Sequence, residues 1–436
     1  METISTEKIY DLFRQYGAIT TDTRNCPKDS IFFALKGANF NGNAFAGRAL
    51  EAGCAYCVVD DADVASTDNR MLYVDNVLQT LQDVAALHRR TLGLPVLQIT
   101  GTNGKTTTKE LTAAVLERKY RVLYTAGNFN NDIGVPKTLL RLTPEHNFAV
   151  IETGASHPGD ISTLCRMVKA DFGLITNVGK AHLEGFGSFE GVIRTKSELY
   201  DDLRTRPDSL VFLNGDATIL CRQAQGLKAY RYGQSGKGYD IEGELLDGGP
   251  FLALRWRRRE GEWHEVRTHL IGAYNLQNVL AAAAVGARFG VSDDDITAAL
   301  TAYVPTNNRP ERQQTAHNSL IIDAYNANPT SMAAAIGNFS MLQAPHKMAI
   351  LGDMRELGEA SAEEHQQVVD RISQAGCERV WRGGGRNFEA PRHDGIRCFD
   401  TVDDVKAALK AEPVENFTIL IKGSNGTRLF ELPEFL

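Results

Sequence analysis

A glycine-containing loop with one lysine and three threonines carries the clearest chemistry in the sequence. It lies between an apolar run that predicts a strand, Val96 to Thr100, and a run with the apolar spacing of a helix. In such a loop the backbone N–H groups point at phosphate oxygens, at a helix N-terminus that favours negative charge. The residues predicted to bind the phosphates of ATP are Gly101, Thr102, Asn103, Gly104, Lys105, Thr106 and Thr107.

Two side chains of this loop have distinct predicted roles. Lys105 adds a mobile positive charge, and the Thr106 hydroxyl is the type of ligand that completes the coordination of Mg²⁺ between the outer phosphates. The common pattern G-x-x-x-x-G-K-[ST] is not met, because Ile99 stands at its first glycine and Gly101 gives a shorter loop. A glycine turn that only joins a strand to a helix is disfavoured, since strand, lysine, threonine and helix fall in register.

Three further polar side chains follow apolar runs or lie close behind them. Glu152 comes directly after the predicted strand Phe148 to Ile151, where a carboxylate suits Mg²⁺, although an N-cap or solvated acid is the alternative. His182 follows the end of another strand, and Lys196 lies fourteen residues further on. Taken alone, an ordinary hydrogen-bonded histidine and a solvated lysine are the commoner interpretations of these two residues.

The order of these features resembles the Mur ligases, the ATP-dependent peptide-bond-forming enzymes of bacterial cell-wall precursor synthesis. The shortened loop, the Glu152 strand end, the turn at His182 and Lys196 all occur in family order. The stretches 152–159, 182–187 and 323–332 resemble the members that join D-alanyl-D-alanine to UDP-N-acetylmuramoyl-tripeptide through an acyl phosphate. An Asp-Asn-Pro-Arg signature, expected in the diaminopimelate- or lysine-adding relatives, is absent from the sequence.

The resemblance implies a metal site with two Mg²⁺ ions. Thr106 and Glu152 would hold the first ion, and His182 would hold the second together with Lys196, whose ammonium would be converted to a carbamate. A carbamate attracts a cation that an ammonium repels. The residues implied to be catalytic are Lys105, His182, Lys196 and Arg309.

The resemblance also implies contacts to the nucleotide and to both other substrates. The nucleotide contacts would be Asn275, Asn278, Arg309 and Asp323, with N-capping of the following helix as an alternative for the two asparagines. Tyr274 stands where the family usually has histidine. The expected contacts to the sugar nucleotide are Thr23, Arg24, Lys36, Asn128, Asn130 and Asn131, the last three otherwise being ordinary turn asparagines. Those expected to face the dipeptide are Asp353, Lys422, Ser424 and Asn425.

The elements that position these residues belong to an α/β protein. With 436 residues the chain exceeds one ordinary core, and strands alternate with helical stretches almost throughout. Three domains are predicted: residues 1–92, a small α/β domain for the UDP-sugar; 93–305, a parallel sheet resembling phosphate-loop ATPases; and 306–436, a Rossmann-like ligase domain for the dipeptide. The segment Tyr303 to Pro310 is predicted to be a linker, because its two prolines and its pair of asparagines disfavour regular structure. Within it, Val304 to Arg309 is the expected hinge for closing the cleft over a water-sensitive intermediate.

Composition limits the class of partner. With 47 basic and 54 acidic residues, the net charge of −7 argues against nucleic-acid and anionic-membrane binding. The N-terminal residues lack a signal-peptide pattern, so we expect a cytoplasmic protein, and we expect a monomer. The pair Cys54 and Cys57 is expected to be buried and structural.

Two alternatives to this activity remain open at the level of sequence. One is another amide ligase of the same superfamily, such as a folylpolyglutamate-like enzyme. The other is a phosphate-loop module that hydrolyses ATP to change shape, which would leave the flanking domains without a purpose.

Overall fold

The structure, a computed structural model, describes residues 2–249, 251–305, 311–383 and 395–436. These residues divide into two compact units. Unit 1 runs to Gln98 and adds Tyr120–Gly154 and Ser162–Asp171. Unit 2 contains Ile99–Lys119, Ala155–Ile161 and the described residues from Phe172 to Leu436.

Strands and helices alternate along the described ranges. The strands are β1 (Ile19–Thr20), β2 (Ile31–Phe33), β3 (Lys36–Gly37), β4 (Phe40–Asn41), β5 (Tyr56–Val59), β6 (Met71–Tyr73), β7 (Val96–Thr100), β8 (Val122–Tyr124), β9 (Phe148–Glu152), β10 (Phe172–Ile175), β11 (Leu210–Asn214), β12 (Ala229–Gln234), β13 (Ile241–Asp247), β14 (Phe251–Arg258), β15 (His264–Ile271), β16 (Glu311–Gln314), β17 (Ser319–Asp323), β18 (Lys347–Leu351), β19 (Arg379–Arg382), β20 (Ile396–Cys398) and β21 (Thr418–Lys422). The α-helices are α1 (Thr6–Tyr16), α2 (Ala46–Glu51), α3 (Ala62–Ala65), α4 (Val77–Leu92), α5 (Lys105–Leu116), α6 (Gly134–Leu139), α7 (Asp160–Val168), α8 (Leu183–Phe186), α9 (Phe189–Arg204), α10 (Thr218–Gln223), α11 (Leu276–Arg288), α12 (Asp293–Ala302), α13 (Pro329–Met341), α14 (Ser361–Ser373) and α15 (Val402–Ala411).

Unit 1 contains a parallel sheet of four short strands in the order β1-β2-β5-β6. Its apolar strand residues are buried with Cys54 and Cys57, as the sequence predicts for these two thiols. Helices α1 and α4 meet where Tyr10 Oη lies 3.2 Å from His88 Nδ1. Strands β7, β9 and β8 follow one another in hydrogen-bonding order, and β9 ends on Glu152.

The first sheet of unit 2 is mixed rather than wholly parallel. Strands β10 to β13 pair in parallel, whereas β13, β14 and β15 pair antiparallel. This antiparallel part was not predicted from the sequence, although β15 alternates buried and exposed residues as a strand with one solvated face should.

Helix α11 fixes the position of the helix that follows the glycine loop. Its alanine-rich sequence is buried almost throughout, which allows close approach on two sides. On one side a Cβ at Gly243 would lie 2.4 Å from Leu280 Cδ2, and on the other a Cβ at Gly286 would lie 2.3 Å from Val115 Cγ1 of α5. Helix α5 is therefore held against α11 with little freedom to shift.

The second sheet of unit 2, called the C-terminal sheet below, has the order β16-β17-β21-β18-β19-β20. All its pairs are parallel except β16 with β17. Buried clusters cover both faces, one built with α13 and α14 and the other with α15 and the C-terminal residues. This two-sided packing is typical of doubly wound α/β sheets.

The α/β class is confirmed, and the strand boundaries refine several predictions. Glu152, Asp323 and Lys422 are the last residues of their strands rather than the first residues after them. None of the described helices combines the length and the apolar character that crossing a membrane requires. The predicted domain boundaries after residues 92 and 305 stay predictions.

Candidate functional site

The glycine loop is tied by its backbone to the end of β10. Thr176 donates its N–H to Thr100 O at 2.9 Å, and Thr102 donates its N–H to Asn177 O at 3.0 Å. Asn103 donates its N–H to Asn177 Oδ1 at 3.0 Å, and its carbonyl accepts from Thr176 Oγ1 at 2.6 Å. The loop conformation therefore depends on residues that follow the neighbouring strand.

Two glycines are required where this loop approaches its neighbours. Gly101 has φ +142° and a Cβ there would lie 2.0 Å from Thr176 Oγ1. Gly104 has φ +77° and a Cβ there would lie 2.5 Å from Asn278 Oδ1. Both positions combine a backbone conformation that favours glycine with space only for hydrogen.

Lys105 and the threonines begin α5. Lys105 Nζ donates to Gly101 O at 2.9 Å and to Thr102 O at 3.0 Å, so its positive charge lies over the loop. Thr106 and Thr107 are buried in the first turn of α5. The loop, its lysine and its helix N-terminus thus form a positively polarised cradle of the kind that binds phosphates.

Asn275 and Asn278 lie beside this cradle and form a chain of hydrogen bonds. Thr108 Oγ1 donates to Asn278 Oδ1 at 3.1 Å, Asn278 Nδ2 donates to Asn275 Oδ1 at 2.8 Å, and Asn275 Nδ2 donates to Ile271 O at 2.9 Å. Asn275 stands at the N-cap of α11, but its side chain makes no capping hydrogen bond, and Asn278 lies inside the helix. The N-capping alternative is therefore wrong for both residues.

Lys196 is a buried lysine on α9. Its side chain is 2% exposed, and Nζ donates to Ala155 O at 3.3 Å. Burial, with the nearby Lys105 ammonium as a second cause, lowers the pKa of Lys196 to about 7. Nζ also lies 5.5 Å from the ring centroid of Phe186, whose ring is 6.2 Å from that of His182.

His182 adopts a left-handed backbone conformation, φ +50°, at the start of the short helix α8. Its Nδ1 contacts a carboxylate oxygen of Glu356, which follows β18 of the C-terminal sheet, and Glu356 O accepts the Glu184 N–H at 3.1 Å. Burial lowers the pKa of His182, against the opposing effect of Glu356. The structure thus places both predicted ligands, His182 and Lys196, close to Phe186.

Glu152 belongs to unit 1 and is buried at 1% exposure. Its Oε1 accepts from Asn130 Nδ2 at 2.8 Å, and its N–H donates to Thr125 Oγ1 at 2.9 Å. The partner Asn130 is also one of the predicted substrate contacts. Whether Glu152 shares a metal ion with Thr106 stays a prediction.

The other predicted sugar-nucleotide contacts of unit 1 have local partners. Arg24 pairs with Asp22 at 2.8 Å on the surface beside Thr23, and Lys36 pairs with Asp60 at 2.9 Å. Asn131 Oδ1 accepts the Gly134 N–H at 2.8 Å, which is the turn contact that the alternative interpretation expects. In the same loop, Asn128 O accepts the Asn130 N–H at 2.7 Å.

The predicted dipeptide contacts lie at or just after the carboxyl ends of β18 and β21 in the C-terminal sheet, beside the predicted nucleotide contact Asp323. Asp323 and Lys422 end paired strands, and Lys422 Nζ lies 2.5 Å from Asp323 Oδ2. Asp353 and Ser424 are buried, and Ser424 N–H donates to Asp353 O at 3.1 Å. Asn425 is exposed and donates its N–H to Tyr325 O.

Ser424 Oγ is a buried polar atom that has no hydrogen-bond partner among the described residues. Arg309, predicted for nucleotide binding and catalysis, lies outside the described residues.

Several residues of the site were missed by the sequence analysis. Glu356 contacts His182, and Asn328 contacts Asn103 of the glycine loop. His365 is fully buried and accepts the Met354 N–H on Nε2 at 3.0 Å, beside Asp353. The partners of Glu356 and Asn328 are 174 and 225 positions away in sequence, so no local pattern predicts these two contacts.

Within the described ranges, no group of three or more histidine, cysteine, aspartate or glutamate side chains is arranged to hold a metal ion. The predicted ligands include only two residues of these types, Glu152 and His182. A Mg²⁺ ion bound with substrate phosphates usually takes one or two protein carboxylates and keeps several waters. The lack of such a cluster among the described residues is therefore compatible with a Mg²⁺ ion held partly by substrate phosphates.

Comparison with known proteins gives matches along the chain. The Mur ligase family, catalytic domain model matches residues 15–89, the Mur ligase middle domain model 99–286, and the Mur ligase, glutamate ligase domain model 308–425. The UDP-N-acetylmuramoyl-tripeptide--D-alanyl-D-alanine ligases of Bacillus subtilis and Escherichia coli are each 34% identical to the chain, over 95% of it and 92% of the relative. The crystal structure of MurF from Acinetobacter baumannii has a TM-score of 0.86 and 28% identity, and covers 99% of this chain and 98% of that chain.

The Gly101→Ala substitution tests the glycine cradle. The new Cβ would meet Thr176 Oγ1 at 2.0 Å, so the loop must shift, and we expect affinity for ATP to fall by at least about tenfold, as measured by calorimetry. Gly226→Ala is the matched control, because Gly226 has φ +82° but open space around its Cβ position. The control should cost about 1–2 kcal/mol of stability and leave ATP binding unchanged. Wild-type ATP affinity in Gly101→Ala would contradict the assignment.

Proposed function

The chain belongs to the Mur ligase family, and we propose that this ATP-dependent ligase joins D-alanyl-D-alanine to UDP-N-acetylmuramoyl-tripeptide in cytoplasmic peptidoglycan precursor synthesis. The observation that carries the proposal is the 34% identity, over 95% of the chain, to relatives named for this reaction. The geometry of unit 2 supports it, because the glycine loop, Lys196, His182 and the ends of β17, β18 and β21 lie in one compact unit.

The reaction begins with the terminal carboxylate of the tripeptide. One carboxylate oxygen attacks the γ-phosphorus of ATP, the bond from phosphorus to the β–γ bridging oxygen breaks, and ADP leaves with that oxygen. The amine of D-alanyl-D-alanine then attacks the carbonyl carbon of the acyl phosphate, phosphate leaves, and the amine loses a proton as the amide forms. Lys105, with Arg309, is proposed to stabilise the charge on the transferring phosphoryl group.

The ligand types present fit two Mg²⁺ ions. The Thr106 hydroxyl and the Glu152 carboxylate would hold one ion, and His182 with a carbamate on Lys196 would hold the other. When bound, these ions neutralise phosphate charge and orient the phosphoryl group. The unmodified ammonium of Lys196 would repel a cation, so the proposal requires the carbamate.

The environment of Lys196 suits carbamate formation. Its pKa of about 7, lowered by burial and by Lys105, leaves a large neutral fraction of the amine at neutral pH. The neutral nitrogen attacks the carbon of CO₂ and releases a proton, which gives a carboxylate-like group at the end of the side chain. The neutral fraction falls as pH decreases through 7, so the unmodified amine becomes a poorer nucleophile in acid.

The remaining substrate contacts are proposals of the same kind. Asp353, Lys422, Ser424 and Asn425 are assigned to the dipeptide, supported by the buried Ser424 Oγ at this sheet edge. The assigned contacts to the sugar nucleotide are Thr23, Arg24, Lys36, Asn128, Asn130 and Asn131. Those assigned to the nucleotide of ATP are Asn275, Asn278, Asp323 and Arg309.

Closure of the C-terminal sheet over the glycine loop would shield the acyl phosphate from water. The contact of Glu356 with His182 and that of Asn328 with Asn103 join the C-terminal sheet to the residues around the glycine loop, as closure requires. The proposed hinge, Val304 to Arg309, lies partly outside the described residues. Equal small-angle scattering dimensions with and without ATP and substrates would count against hinge motion.

Acceptor-dependent phosphate release tests the proposed reaction. With UDP-N-acetylmuramoyl-tripeptide, ATP and Mg²⁺ present, phosphate should appear at a sustained rate only after D-alanyl-D-alanine is added, together with the pentapeptide product. Glutamate and diaminopimelate serve as controls. Equal release with either of them would favour another ligase of the superfamily, and release without amide product would favour an ATP-driven switch.

Substitution of Lys196 tests the carbamate. Lys196→Ala should lower the ligation rate by about a thousandfold or more, since a metal ligand beside the transferring group is lost. Added formate should restore part of the rate by supplying the missing carboxylate oxygens. Lys228→Ala, at an exposed lysine, is the control and should keep the wild-type rate. Full activity in Lys196→Ala would rule out the second metal site as assigned.

A further inference from the structure

An amide pair links the glycine loop to the C-terminal sheet. Asn328 Nδ2 donates to Asn103 Oδ1 at 2.8 Å, and Asn103 Nδ2 donates back to Asn328 Oδ1 at 3.3 Å. The two residues are 225 positions apart in sequence. Asn328 is only 5% exposed and Asn103 is half-buried, so the pair is partly shielded from water, which strengthens a hydrogen bond.

The orientation of Asn328 is fixed by its own helix. Asn328 is the N-cap of α13, and its Oδ1 accepts the Ser331 N–H at 2.8 Å in a capping box, with Pro329 at the first helical position. A backbone N–H can only donate, so the Asn328 amide must direct its oxygen to Ser331. Its nitrogen is then available to Asn103, and the pair cannot invert without breaking the cap.

The Asn103 end of the pair is equally constrained. Its N–H donates to Asn177 Oδ1, and its carbonyl accepts from Thr176 Oγ1 and from Asn177 Nδ2 at 2.9 Å. With the backbone held on this side, the side-chain amide is the part of Asn103 whose position depends on Asn328. Asn103 directly precedes Gly104, the N-cap of α5, and Lys105, the first residue of that helix.

Two other contacts hold the same parts of unit 2 together. Thr330 Oγ1 accepts the Lys180 N–H at 3.1 Å, and a Cβ at Gly179 would lie 2.6 Å from that oxygen. Lys180 Nζ lies 2.5 Å from Glu364 Oε1, a carboxylate that is 4% exposed. The start of α13 therefore docks against both the glycine loop and the residues that follow β10.

We infer that Asn328 is a positioning residue that holds Asn103 in the conformation that binds ATP, so that docking of the C-terminal sheet strengthens nucleotide binding by the glycine loop. This inference rests on the proposed function for its purpose, since it couples ATP binding to arrival of the part of the chain assigned to the dipeptide. By linkage, ATP must favour the docked arrangement to the same extent.

A double-mutant cycle on ATP affinity tests the inference. Asn328→Ser keeps a strong N-cap for α13 but is too short to reach Asn103, and Asn103→Ala removes the other half of the pair. Each single substitution should raise the Kd for ATP with Mg²⁺ about tenfold. The double variant should also be about tenfold weaker, rather than the hundredfold that independent effects would give.

The controls separate coupling from damage to the fold. Asn326→Ser makes the same change two residues away at an exposed side chain, and it should leave the Kd for ATP unchanged. Melting temperatures of the variants should match the wild type, and Asn328→Thr supplies a second capping side chain if the serine variant is unstable. Unchanged ATP affinity in the capped Asn328 variants, or multiplicative losses in the double variant, would overturn the inference.

ATP binding is measured without any acceptor, so the proposed ligase function and the inferred role of Asn328 can be refuted independently. A wild-type protein that makes no amide from D-alanyl-D-alanine but shows the non-additive cycle would refute the proposed function and keep the inference. Ligation with an additive cycle would do the reverse.

Discussion

The tie between the glycine loop and the residues after β10 is the constraint on which the site depends. Thr176 and Asn177 engage the backbone of Thr100, Thr102 and Asn103, and this approach leaves no space for a side chain at Gly101. Because α5 packs closely against α11, the helix end of the loop is fixed as well. Its N–H groups are thereby held in place before a phosphate arrives, which avoids an ordering cost on binding.

Concentrated positive charge is the second organising feature. Burial, with the nearby Lys105 ammonium as a smaller cause, lowers the pKa of Lys196 and of His182 in unit 2. A site of this kind is unfavourable alone and favourable around ATP, whose phosphates carry the compensating negative charge. Converting the Lys196 amine to a carbamate changes a repulsive group into a ligand, which is why we assign it that role.

Much of this was predictable because it is local. A strand, a glycine turn, a lysine and a helix occupy consecutive residues, and polar strand ends such as Glu152 and Lys422 stand out after apolar runs. The pairing of Asn103 with Asn328 and of His182 with Glu356 could not be predicted, because it depends on tertiary packing. The antiparallel strands β13 to β15 were missed although the sequence Asp247-Gly248-Gly249, of a type common in hairpin turns, stands at the end of β13 and before β14. Asn275 proved not to cap α11.

The most direct test of the proposed acyl-phosphate chemistry measures the transfer of ¹⁸O from the tripeptide to the released phosphate. The terminal carboxylate of the tripeptide is labelled with ¹⁸O, ligation is run with ATP and D-alanyl-D-alanine, and the released phosphate is analysed by mass spectrometry. Attack of the carboxylate on the γ-phosphorus predicts one ¹⁸O atom in each phosphate released. Phosphate without the label would mean that another oxygen attacks ATP, and it would contradict the acyl-phosphate chemistry assigned to this loop.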